Sequence, residues 1–255
     1  MNLPPEEISP APPPPPQPAP PPRGVLVSLP VAVPRVTYIL LGLTVAVYLL
    51  QLLSQFSLGY DLPVVLGVKA NDAIRAGQWW RFFTPILLHG SILHIGFNMY
   101  ALLTFGSGLE RHYGHGRFLL LYLLSGFAGG VFSFLLTEDY SIGASGAIFG
   151  LIGAEGIFLY LNRRLFGDQV KAQINNIVFI VVVNLFLGLS PGIDNWAHIG
   201  GLLGGLVFAW FAGPRWNVAG LFPNFYLEDQ REPRQIILGA LIVSVLFGVL
   251  AAVGM

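Results

Sequence analysis

The chain has 255 residues, of which 54% are hydrophobic and only 10% charged. Soluble domains carry roughly a quarter charged residues, so this much apolar surface points to lipid as the solvent. Thirteen basic side chains balance thirteen acidic ones and cysteine is absent, which leaves no electrostatic footprint for nucleic acid and excludes disulfide frameworks, thiolate metal sites and cysteine nucleophiles.

Residues 4–22 are mostly proline, with unbroken runs at Pro12–Pro16 and Pro20–Pro22. Such a segment favours extended polyproline II and builds no core. Residues 1–35 therefore read as a solvated tail ahead of the first membrane span; docking of a proline-reading module is the sharper alternative. The start lacks the basic-then-apolar order of a secretory signal.

Seven stretches then reach or approach the roughly 20 apolar residues that a spanning helix needs. They cover about 36–56, 86–106, 117–136, 144–161, 173–190, 195–212 and 235–254. His89, His94 and Asn98 interrupt the second, and the fourth begins at Gly143-Ala144-Ser145-Gly146-Ala147. The long connection 57–85 carries Trp79, Trp80 and two prolines, and its aromatics place it at the membrane interface. The expected fold is all-α: a polytopic transmembrane bundle with a six-helix core over 36–213, then a linker and a seventh helix over 214–255.

Seven spans put alternate loops on opposite sides. One side collects Arg23, Arg35, Arg111, Arg117, Arg163, Arg164, Lys171, Arg215, Arg231 and Arg234, and the other holds only Lys69, Arg75 and Arg81. Cytoplasmic loops carry the excess of basic residues, so the N-terminus is expected in the cytoplasm and the C-terminus outside.

Polar residues inside a membrane are costly and mark function by default. Ser145 heads the fourth span and His198 the sixth, and these spans run in the same direction. Span two runs the same way, with His94 and Asn98 a turn or two below its outer end. The three groups can meet at one depth. Singly each has a bland reading: a small residue permitting helix contact for Ser145, packing for His198, interhelical hydrogen bonding for Asn98. Together they suit acyl transfer, in which a base takes the serine proton and donors hold the developing oxyanion. His198 is the candidate base. His94 and Asn98, four apart, share a helix face, and the Ser145 N–H lies at a positive helix end. His89, about 140° around an ideal helix from His94, is placed outside that shell. Asp194 reads as a helix cap, Glu155 lies too deep for a third member, and a Ser–His dyad is expected. A buried Glu155 should be neutral or paired.

Over about residues 36–255 the chain resembles the rhomboid family. The resemblance rests on Trp80-Arg81, His94-x-x-x-Asn98, Gly106-x-x-x-Glu110-x-x-x-Gly114, Gly143-x-Ser145-Gly146 and Ala197-His198-x-x-Gly201-x-x-x-Gly205. It implies a six-plus-one helix arrangement in a bacterial inner membrane, and hydrolysis of single-pass membrane proteins in or near their transmembrane segment. Ser145 is implied as nucleophile, His198 as general base, and His94, Asn98 and the Ser145 N–H as the oxyanion hole. Gly143, Gly146, Phe149, Gly201, Gly205, Trp80, Arg81 and Glu110 are expected to support the site, with no metal or organic cofactor. Phe149 stands where some members carry tyrosine against the catalytic histidine.

The alternatives weighed are other membrane proteases, an inactive relative that binds membrane proteins, and a transporter. No His-Glu-x-x-His occurs, no span core holds an aspartate, and no internal repeat is evident. Gly201 and Gly205 follow His198 on its own helix face and are expected to set the approach to span four. Gly200 and Gly204 point away from it, and a larger residue at 204 is expected to be milder.

Overall fold

A computed structural model describes residues 32–221 and 224–255. The proline-rich tail and Arg23 lie outside the described residues.

Helix α1 (Arg35–Leu58) follows Pro34 and ends at Gly59, whose φ of 81° turns the chain out of the helix. Its buried positions are Thr37, Leu40, Thr44, Gln51 and Ser54, while Ile39, Leu49, Leu53 and Phe56 are exposed. Hydrocarbon solvates large apolar side chains as well as a protein core does, so small and hydrogen-bonding residues occupy the helix contacts. The long connection folds into α2 (Leu62–Gly67), α3 (Asn71–Arg75) and two 3-10 turns, Trp79–Phe82 and Thr84–Leu87.

The second span is α4 (Ile92–Ala101), a π turn (Leu102–Gly106) and α5 (Ser107–Tyr113). It starts six residues later than expected. Pro85 sits in a 3-10 turn, and the Ser91 hydroxyl caps α4 by accepting the His94 N–H. Helices α6 (His115–Leu136), α7 (Ser145–Leu161), a short α8 (Arg163–Phe166), α9 (Gln169–Leu187) and α10 (Asn195–Ala212) follow. The linker adds a two-stranded antiparallel hairpin, β1 (Trp216–Leu221) and β2 (Asn224–Asp229), with Trp216 opposite Asp229, before α11 (Pro233–Gly254). The sequence reading had placed no strands there.

Helices α6, α7 and α10 pack on one another at the centre, with α11 against α6 and α10, and α9 against α7. Five helices among the described residues are long and apolar enough to cross a membrane: α1, the α4–α5 span, α6, α9 and α11. The 17-residue α7 is shorter but apolar, and the 18-residue α10 carries Asn195 and His198. These two central helices bear the polar site and are shielded by their neighbours. The molecule is a polytopic helical membrane bundle.

Candidate active site

Ser145 is the first residue of α7 and His198 lies in the first turn of α10. Asp194 caps α10, its Oδ1 accepting the Ala197 N–H at 3.0 Å, which is the cap role expected for it. The two helix starts lie side by side, and Ser145 Oγ is 2.9 Å from His198 Nε2. The imidazole is buried, and the Phe149 ring lies flat against it, centroids 4.3 Å apart.

The other imidazole nitrogen has a partner that sequence reasoning missed. His198 Nδ1 is 3.3 Å from Asn195 Oδ1. The Asn195 amide is oriented by its Nδ2, which donates to the Leu185 carbonyl at 2.9 Å, so Oδ1 faces the ring as an acceptor. That favours the tautomer with hydrogen on Nδ1 and a lone pair on Nε2 toward Ser145. The available signal was spacing, since Asn195 precedes His198 by three residues on one helix face.

Across from this pair stands His94. The Gly90 N–H donates to His94 Nδ1 at 3.4 Å, which leaves Nε2 to carry hydrogen. A Cβ on Gly143 would lie 2.7 Å from His94 Nε2 and 3.9 Å from Ser145 Oγ. Gly143 has φ +126° and its N–H is held by the Pro85 carbonyl at 2.9 Å. Both the backbone angle and the missing side chain are needed here. Asn98, buried one turn below His94, gives one amide hydrogen to the His94 carbonyl at 2.9 Å and keeps the other. The Ser145 N–H, at a helix start, has no intrahelical acceptor.

His89 corrects the sequence reading. It precedes α4, so helical geometry does not apply to it, and its ring stands edge-on to His94 with centroids 4.9 Å apart. Its backbone pairs reciprocally with the buried Gln51 amide of α1.

The glycines set how closely the helices approach. A Cβ on Gly201 would sit 1.9 Å from the Gly146 carbonyl oxygen, and one on Gly205 would sit 2.3 Å from that of Gly150. Gly200 and Gly204 do point elsewhere, but onto α6: a Cβ at 204 would lie 2.5 Å from Ala128 Cβ. Neither face of α10 is open, but a side chain is met at 204 where backbone is met at 201 and 205.

Three expected supports lie away from the pair. Arg81 is buried in the long connection, donating to the Val65 and Val68 carbonyls at 2.8 and 2.7 Å, and Trp80 Nε1 donates to Leu66. These residues brace that connection. Glu110 follows His94 by sixteen residues, about 24 Å along a helix, and so is not near the site. Its carboxylate accepts the Val36 and Thr37 N–H groups at the start of α1. Lys69, read from sequence only as a loop charge, donates its ammonium to the Thr137 and Asp139 carbonyls and pairs its backbone with Ser141. This ties the connection to the loop entering Ser145. Glu155 has no hydrogen bond or ion pair among the described residues and borders a cavity of about 280 Å³ with Thr104, Gln173 and Asn176.

A larger cavity of about 820 Å³ opens beside His94, walled by Tyr140, Ile142 and the loop entering α10.

Comparison with known proteins identifies the family. The Rhomboid domain family model matches residues 76–215. Rhomboid protease GluP of Bacillus subtilis (strain 168) is 41% identical over 177 residues, covering 69% of this chain and 34% of that protein. RHOMBOID-like protein 9, chloroplastic, of Arabidopsis thaliana is 37% identical over 155 residues, 60% of this chain and 36% of that protein. RHOMBOID-like protein 4 of the same plant is 40% identical over 147 residues, 57% and 37%. The chain thus spans about a third of the length of these relatives. With more than half of its residues matched by the family model, the chain belongs to the Rhomboid family.

Proposed function

We propose that the protein is an intramembrane serine endopeptidase that cleaves single-pass membrane proteins in or beside their transmembrane segment. The observation that carries this reading is the 2.9 Å contact between Ser145 Oγ and His198 Nε2, with Asn195 on the far nitrogen. In this reading His198 Nε2 takes the Ser145 proton as Oγ bonds to the scissile carbonyl carbon. The carbonyl π electrons move onto oxygen. His94 Nε2–H, the free Asn98 amide hydrogen and the Ser145 N–H receive that charge. The imidazolium then gives its proton to the leaving amine, and water, deprotonated by the same imidazole, hydrolyses the acyl-enzyme. The cavity beside His94 offers room for an unwound stretch of substrate.

The charge asymmetry supports a cytoplasmic N-terminus, with Ser145 toward the outer face of a bacterial inner membrane. In this reading residues 1–35 form the tail, 36–213 the protease core, and 214–255 the linker and last helix.

Two measurements test the proposal. A fluorophosphonate should label the wild type and spare Ser145→Ala. Co-expressed single-pass proteins should be cut by the wild type and left intact by Ser145→Ala and His198→Ala, with membrane insertion unchanged. Substantial cleavage by purified Ser145→Ala would overturn the mechanism. An unlabelled, inert wild type would favour the inactive, membrane-protein-binding relative.

A further inference from the structure

At the membrane end opposite Ser145, a cavity of about 430 Å³ opens between the end of α7, the hairpin and the start of α11. Arg163, Arg164, Arg215 and Arg231 line it, and no acidic side chain does. A one-sided charge bias explains arginines at this end of the bundle. It does not explain why separate segments bring four of them to one cavity without a counter-charge.

Two neighbouring carboxylates are engaged elsewhere, and Glu228, opposite Asn217 in the hairpin, accepts the Gln230 amide at 3.5 Å. Asp229 accepts Arg117 Nη1 at 2.8 Å and the backbone N–H groups of Arg215 and Arg231 at 2.9 and 3.0 Å. Glu232 pairs with Arg234. Arg231 donates to the Gly213 and Trp210 carbonyls at the end of α10, and Arg163 donates to the Tyr160 carbonyl and lies over its ring. The Arg164 and Arg215 guanidinium groups have no hydrogen bond or ion pair among the described residues. The cavity therefore offers guanidinium donors and positive charge suited to an anion.

Its depth indicates the source of that anion. Tyr160 and Trp210 stack on the bundle surface beside it, centroids 6.2 Å apart, both nearly half exposed. Such aromatic residues sit at headgroup level. Leu238 of α11, nearly one turn beyond the lining Gln235, is exposed toward the membrane interior, a surface suited to an acyl chain.

We propose that this cavity binds the phosphodiester headgroup of an anionic glycerophospholipid, with the Arg164 and Arg215 guanidinium groups as its principal donors. Guanidinium groups match phosphate oxygens with paired, charge-assisted hydrogen bonds, and basic pockets between spans hold anionic headgroups in this way. The assignment does not depend on Ser145 chemistry.

The test uses the full-length protein in neutral detergent, titrated with phosphatidylglycerol, phosphatidylcholine or inorganic phosphate. Thermal stability and native mass spectrometry are the readouts. Phosphatidylglycerol should raise Tm and remain bound, and phosphatidylcholine should do neither. Arg164→Gln/Arg215→Gln should weaken phosphatidylglycerol binding about tenfold or more, since both charge-assisted donors are removed. Lys171→Gln, an exposed charge outside the cavity wall, should change nothing. Arg215→Gln alone provides a second variant and should weaken binding several-fold. Undiminished phosphatidylglycerol binding by the arginine variant would overturn the site, as would equal stabilisation by phosphatidylcholine. Stabilisation by inorganic phosphate matching that by the lipid would overturn the headgroup assignment.

Discussion

The imidazole of His198 and the ring of Phe149 lie 8° from parallel with their centroids 4.3 Å apart. Phe149 stands one turn below Ser145 on α7, so one helix supplies both the hydroxyl and the surface that holds the imidazole against it. Misplacement of a reacting group by about 1 Å can cost 10²-fold in rate. Phe149→Ala should therefore lower kcat by about tenfold to a hundredfold with little change in KM, while Phe149→Tyr, which keeps the ring, should lose far less. Steady-state kinetics on a transmembrane substrate check this; equal losses for both variants would remove the stacking role.

Asn195 should act through His198. Asn195→Ala leaves Nδ1 without its acceptor and frees the competing tautomer, so kcat should fall and the pH–rate profile should shift. Asn195→Asp, which keeps an acceptor, should recover part of the rate. A loss of activity that merely follows a loss of thermal stability would make Asn195 a structural residue.

The proposed oxyanion donors carry their own expectation. Loss of one such donor typically costs about 10²–10³ in kcat, so His94→Ala and Asn98→Ala should each slow turnover on that scale with smaller effects on KM. Gly143→Ala should be as damaging, since its methyl would meet His94 Nε2 at 2.7 Å and the backbone φ is +126°. Near-wild-type kcat in His94→Ala and Asn98→Ala would reduce both residues to packing.

The two glycine faces of α10 should differ in whether damage can be repaired. At 204 the atom nearest to an added methyl is the Ala128 Cβ, and the next lies at 3.5 Å. Gly204→Ala should destabilise the protein, and Gly204→Ala/Ala128→Gly should restore both stability and activity. At 201 the obstacle is the Gly146 backbone, which no side-chain change removes. Gly201→Ala should separate Ser145 from His198 irreparably, as paired melting and activity assays would reveal.

Burial pushes the Lys69 ammonium down from its ordinary 10.5 to about 8, with the Asp194, Glu138 and Asp139 carboxylates opposing the shift. Between about pH 8 and 10.5 the unfolded chain binds a proton that the folded protein has released, so stability rises with pH across that window. Below it both states are charged and the folded protein bears the full desolvation penalty. Relative to Lys69→Met, the wild type should therefore gain stability between about pH 7.5 and 10.5. A stability difference that stays flat over this range would refute the assignment.

Much of the architecture is legible from sequence, because the length and apolarity of a span are properties of consecutive residues. The helices at 145–161 and 195–212 fall within a residue of their expected bounds. The common depth of Ser145, His198 and His94 follows from counting crossings. Helix boundaries inside polar stretches were not legible. Ser91 and Pro85 decide where the second span begins, and with it whether His89 obeys helical geometry. Glu110 lies in a motif shared with the site residues, yet only the folded chain shows its carboxylate bound to the start of α1, at the other end of the span. Spacing put Gly200 and Gly204 on the far face of α10, and it took the neighbouring α6 to show that this face is equally full. Asn195 turns toward His198 because Leu185, on another helix, engages its amide hydrogen. Sequence determined which residues share a face and a depth, through the regular rise and rotation of a helix. Tertiary structure decided which faces touch, because close contact in lipid depends on backbones meeting where side chains are missing.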